Sequence, residues 1–175
     1  MKKILCVTTL VAMGLGLSAN VLAEDGKVNF RGELTTDACQ VVNNMSNPAQ
    51  VDLGKVAKTA FPTVGATAAA KKFTLVLKNC PPGVSAATVA FNGNAENGDN
   101  RVLALTQETD VATGVGIQIS DVSQAVMSLG VPSQAYPLVS VVDNNLDFVA
   151  RYVSTQSNVT PGPANSVATF DISYQ

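Results

Sequence analysis

The stretch GKVNFRGELTTDAC, Gly26 to Cys39, decides how the rest of the chain is read. Val28, Phe30, Leu34 and Thr36 recur at every second residue, and Gly32 takes the one slot in that series with no side chain. Period-two alternation describes a strand with one buried face. A glycine at its centre marks a bulge or a close backbone approach if the strand belongs to a complete sheet. The stretch also lies at the start of what remains once a leader is removed, ahead of the first cysteine of that remainder.

The leader is legible from its three regions. Met1-Lys2-Lys3 is basic, Ile4 to Leu17 is apolar, and Val21 and Ala23 are the small residues of a cleavage site, so the mature chain is expected to begin at Glu24. The apolar run is too short for a stable membrane span. Cys6 lies near the start of this segment, where a lipoprotein cysteine does not belong. Residues 1–23 are thus read as a signal peptide, 24–37 as an N-terminal extension and 38–175 as one domain.

Without Lys2 and Lys3 the formal charge falls from −2 to about −4, which argues against nucleic acid or an anionic membrane as partner. Only 14% of residues are charged while 46% are hydrophobic. An Ala- and Val-rich β protein accounts for that balance; so does a subunit whose surface is buried against copies of itself. Cys39 and Cys80 are the two cysteines left, and a secreted chain favours a disulfide between them. Free thiols and a metal site are the alternatives. A metal would need further ligands, and the chain has no histidine.

Strand signals dominate the remainder. QVV, QVDLG, KKFTLVLKNC, TVAFNG, RVLAL, VGIQISD, AVMSL, LDFVARYVST and SVATFDISYQ are separated by Asn/Gly/Asp/Pro clusters such as NGNAENGDN, VDNN and TPGPAN. Short strands at this spacing predict an all-β sandwich of the immunoglobulin type. Thr59 to Ala70 is mixed in composition and fits a short helix or an extended crossover. The last strand repeats the pattern of the first: Phe170, Ile172 and Tyr174 alternate up to Gln175. Both ends of the mature chain are patterned as buried strands, where chain ends ordinarily fray.

Chemistry finds little footing. Without histidine there is no Ser-His-Asp or Cys-His pairing, and neither G-x-S-x-G nor S-x-x-K occurs. TGVGIQIS lacks the third glycine of a dinucleotide fingerprint. NGNAENGDN departs from the spacing of a calcium loop and reads as a hairpin turn. No enzyme activity and no cofactor are implied.

Taken together, GKVNFRGELTTDAC, VDLGKV, FTLVLKNC, DNRVLAL, GVGIQISD, LDFVARYVST and TPGPANSVATFDISYQ resemble, in that order, the subunits of chaperone–usher fimbriae, most of all the major pilins of type 1-like rods. The resemblance implies an immunoglobulin-like sandwich lacking its last strand, completed by donor-strand exchange. A periplasmic chaperone first fills the resulting groove; in the fibre the extension of the next subunit fills it. By the same resemblance Val28, Phe30, Gly32, Leu34 and Thr36 form the donor strand, with Gly32 in a slot that the neighbour's core already fills. Phe170, Ile172 and Tyr174 line the groove and pair with the chaperone strand, while basic chaperone residues capture the Gln175 carboxylate. The Cys39–Cys80 bridge joins the first strand to the second. Implied partners are other copies of the chain, the chaperone, an outer-membrane usher and neighbouring tip subunits, on a route through the periplasm to a surface fimbria. Two alternatives stand beside the major rod subunit: a minor or adaptor subunit, and a secreted β-sandwich binding module.

Overall fold

Alternating apolar residues become nine strands in two sheets among the described residues of the computed structural model, which are 26–32 and 38–175. The predicted leader and residues 24, 25 and 33–37, with Leu34 and Thr36 among them, lie outside the described residues. The strands are β1 (Gln40–Val41), β2 (Thr67–Lys78), β3 (Ala86–Asn92), β4 (Ala95–Glu96), β5 (Asp99–Leu103), β6 (Val115–Asp121), β7 (Tyr136–Pro137), β8 (Asn144–Ser154) and β9 (Thr169–Tyr174). One sheet runs β1-β2-β8-β6-β5-β4 and the other β7-β3-β9, with every pairing antiparallel. This is the immunoglobulin-like sandwich expected from the strand spacing.

The core lies between the sheets. Leu75 and Leu77 on β2 pair with Leu146 and Asn144 on β8, and Leu75, Leu77, Leu146 and Phe148 are almost wholly buried. Phe91 from the smaller sheet meets Phe148 edge-on, with ring centroids 5.0 Å apart, and Phe73 stands 5.9 Å from Phe91. Such edge-to-face pairs add about 0.5–1.5 kcal/mol each to the burial of the rings. Cys39 and Cys80 are joined by a disulfide that closes the chain entry onto the end of β2.

NGNAENGDN is a hairpin, as its composition predicts. Asn97 and Gly98 have φ values of +51° and +81° between β4 and β5, the left-handed pair that a tight two-residue turn requires. Two expectations change. QVDLG forms no strand, because the Asp52 carboxylate accepts the Gly54 N–H at 2.8 Å and Gly54 turns with φ +67°. AVMSL forms no strand and contributes one isolated bridge, between Ser120 and Val126. Met127 and Leu129 donate to Ile119 and Asn100 in the larger sheet and the following Gly130 to Phe91 in the smaller one, so the chain crosses between the sheets here and extends neither. Thr59 to Ala70 resolves into the end of a 3₁₀ turn at Lys58–Ala60 and the start of β2 at Thr67.

Candidate functional site

The most consequential edge in the molecule is that of β9. The strand pairs with β3 alone, so one side of its backbone has no ladder partner among the described residues. Which groups lie on that side follows from register. Gln175 exchanges both backbone bonds with Ala86, at 2.9 and 3.2 Å. Antiparallel pairs alternate between bonded and non-bonded. Ser173, Asp171 and Thr169 therefore bond to β3, and Phe170, Ile172 and Tyr174 turn their N–H and C=O groups to the free side. On β3 the N–H of Val89, opposite Ile172, bonds instead to Ser133 Oγ at 3.0 Å, as this register demands.

The side chains of these three residues point inward but remain only half-buried. A groove of about 700 Å³ reaches the start of this strand at Phe170. Phe73 and Leu75 from β2, Phe91 from β3, Ile119 from β6 and Ala150 and Tyr152 from β8 contribute to its lining. One rim is the approach to β9, residues 164–169. The other is the chain after β1, residues 43–54. That rim is not a strand because its amides turn back on themselves: Asn44 Oδ1 accepts the Ser46 and Asn47 N–H groups at 2.9 and 3.1 Å. Apolar side chains stand in water along both rims, with Met45 85% and Val167 75% exposed.

Asp52 is the one charged side chain among the described lining residues. Burial pushes the Tyr152 and Tyr174 phenols above their ordinary range, which keeps both protonated at neutral pH. Tyr152 Oη donates to Ala164 O at 3.0 Å and Tyr174 Oη to Cys39 O at 3.4 Å, so each ring is braced across the sandwich. The arrangement offers an unpaired strand edge above an apolar trough. An edge of this kind can pair with one more extended strand.

Phe170, Ile172 and Tyr174 thus fall on one element, and Phe170 is the one of the three that lines the groove. Gln175 is tied down beside them: its carbonyl oxygen accepts the Ser85 N–H at 2.8 Å and the Ser85 hydroxyl at 3.2 Å. Val28, Phe30 and Gly32 lie in the described segment 26–32, which carries no regular element, with Val28 74% and Phe30 92% exposed. A Cβ built on Gly32 meets nothing within 4 Å, and its φ is not left-handed. Neither a bulge nor a close backbone approach within the described structure calls for glycine there. The sequence reading missed both rims, 43–54 and 164–169, and the contribution of Tyr152. Alternation finds strands, and the rims are irregular backbone.

Comparison with known proteins places this geometry. Residues 28–175 match the family model described as "Fimbrial protein". A Salmonella typhimurium protein named fimbrial subunit type 1 is 35% identical over 97% of this chain and 97% of its own. A solved Burkholderia pseudomallei antigen and type I fimbria protein is 34% identical with a TM-score of 0.60, covering 79% of this chain and 91% of that one. A subunit in the structure of a chaperone–usher pilus shares the fold with a TM-score of 0.65 at 24% identity, over 87% of this chain and 96% of that one. The chain belongs to the fimbrial protein family: it is a structural subunit of a cell-surface fimbria, and not an enzyme.

Proposed function

We propose that the chain polymerises by strand donation, residues 24–37 of one copy entering the β9 groove of the next. The observation that carries this reading is the coincidence of free backbone groups and half-buried side chains on the same three residues, Phe170, Ile172 and Tyr174. One incoming strand satisfies both. Val28, Phe30 and Leu34 supply apolar side chains at the required period, each worth about 1.5–3 kcal/mol when buried. Gly32 would lie over a floor to which the rings of Phe73, Phe91 and Tyr152 contribute, where a residue without a side chain fits against bulky groups.

Direction follows from propagation. Tyr174 Oη reaches Cys39 O, so the C-terminal end of β9 lies at the pole where the chain enters the sandwich. A donated strand antiparallel to β9 sets the donor's domain at the opposite pole, and copies add head to tail. A parallel one would crowd the donor against the acceptor's own extension. Until donation the groove is an aggregation hazard, which supports transit through the periplasm under a chaperone and delivery by an outer-membrane usher. The likeness to type 1 subunits over nearly the whole chain supports the role of major rod subunit.

The test uses a chain lacking Glu24 to Asp37, purified with its chaperone. Adding a synthetic peptide of those residues is expected to displace the chaperone and raise the melting temperature of the released domain. Gly32→Asn in the peptide is expected to abolish both effects. A shortened chain that is already stable, monomeric and indifferent to the peptide would instead be a complete sandwich, and the donation reading would fall.

A further inference from the structure

The loop between β7 and β8 holds three valines in water. Val139, Val141 and Val142 are 59%, 86% and 48% exposed, and Val141 has φ +61°. A β-branched residue in the left-handed region is a real outlier. The loop is not slack. Asn144, only 8% exposed, accepts the Val139 N–H at 2.8 Å through Oδ1 and donates through Nδ2 to Val139 O at 2.9 Å and Val142 O at 3.1 Å. Lys78 pairs with Asp143 at 2.9 Å and fixes the far end. One buried amide therefore holds a strained backbone in place, and three apolar side chains stay outside.

The loop's position says what covers them. Asn144 Nδ2 stands 3.5 Å from Cys80 Sγ, and Cys80 is bonded to Cys39, where the chain enters the sandwich. The valines thus sit at the pole from which residues 24–37 are strung. Only Asp37 and Ala38 separate Thr36, the last residue of the donor series, from Cys39. Three steps of extended chain reach at most about 10 Å. A copy that holds Thr36 in its groove must therefore approach this pole closely.

We propose that Val139, Val141 and Val142 dock on the copy that receives this chain's extension, forming an apolar contact beside the donated strand. The proposal rests on the strand-donation reading and adds a second, non-strand interface to it. The receiving pole, at the start of β9, offers apolar groups of its own. Val167 is 75% exposed just before β9, and Val131 is 50% exposed next to Gly130, whose N–H bonds to Phe91 O. Docking these surfaces removes exposed valines from water at both poles of every subunit except those at the fibre ends.

The experiment uses fibres of the full chain assembled with their own secretion machinery, and follows subunit release in guanidinium. Val141→Asn removes the most exposed valine and puts at φ +61° a residue at ease there. Release from Val141→Asn fibres is expected to be about tenfold faster than from wild type, the change that about 1.4 kcal/mol of lost contact produces. The released domain should melt no lower than wild type. Should it melt lower, Val139→Ser/Val142→Ser fibres carry the comparison, with the same expectation. Release indistinguishable from wild type in the variant that folds normally would overturn the docking. Unchanged release with lost lateral packing in micrographs would assign the loop to a lateral neighbour, and also overturns it. A Gly32→Asn chain serves as the separate control: normal fibres from it would remove strand donation itself, and the docking with it.

Discussion

Asp147 on β8 sits on the outer face of the larger sheet, accepting the Thr74 hydroxyl at 2.6 Å and pairing with Lys72 at 2.8 Å. The Lys72 ammonium, helped by the Thr74 hydroxyl, holds its carboxyl below the usual carboxylate range. A depressed folded-state value means stability that is complete above the unfolded value, near 4, and is lost as pH falls through the folded value. Asp147→Asn is therefore expected to lower the melting temperature at pH 7 by an amount that shrinks as the pH falls below the unfolded value and vanishes below the folded one. Lys72 is mostly exposed, so the loss should not exceed about 1 kcal/mol. Melting curves of both chains from pH 7 to pH 2 check this; a gap that widens on acidification would contradict it. An alternating series with one empty slot poses a question that the described structure does not answer within the chain, where a Cβ at Gly32 meets open space.

Among the elements, β9 carries the sharpest expectation. Asp171 and Ser173 are bonded to β3, and the N–H groups of Phe170, Ile172 and Tyr174 face the free side. In a chain shortened to residues 38–175, the first pair should exchange amide hydrogen slowly and the other three quickly. Adding the peptide of residues 24–37 should protect those three and leave Asp171 and Ser173 nearly unchanged. Equal protection at all five positions before addition would show that the edge is already paired. The strands themselves were largely legible. Phe73, Leu75 and Leu77 on one face of β2 and the Asn97-Gly98 turn are both local signals, one of period and one of backbone sterics. QVDLG and AVMSL misled because alternation records only which side chains are buried, and irregular chain can bury them too. Leu53 is buried in a turn closed by Asp52, and Met127 packs against the core from a crossover. Both rims of the groove are of this kind, so the trough was visible in the sequence only through β9.

On the strand-donation reading the whole domain is a sandwich one strand short, and the Cys39–Cys80 bridge has to be weighed in that light. The bridge spans 41 residues of sequence and is expected to stabilise by about 4 kcal/mol, chiefly by restricting the unfolded chain. Complete domains have about 5–15 kcal/mol in total. A domain whose Phe170, Ile172 and Tyr174 remain half-buried has less to lose. Cys39→Ala/Cys80→Ala in the chain of residues 38–175 is therefore expected to abolish cooperative melting. The bridge and the donated strand are separate contributions to the same balance, so one should substitute for the other. Peptide at a hundred times its dissociation constant adds about 2.7 kcal/mol, enough to return a cooperative transition below that of the bridged, peptide-bound domain. Circular dichroism melts of bridged and unbridged chains, each with and without peptide, measure all four corners of this cycle. A bridgeless, peptide-free chain that melts as sharply and as high as the bridged one would mean that the core is already complete without a donated strand. A bridgeless chain that peptide cannot restore would mean that the bridge shapes the groove itself, and does more than hold the unfolded chain together.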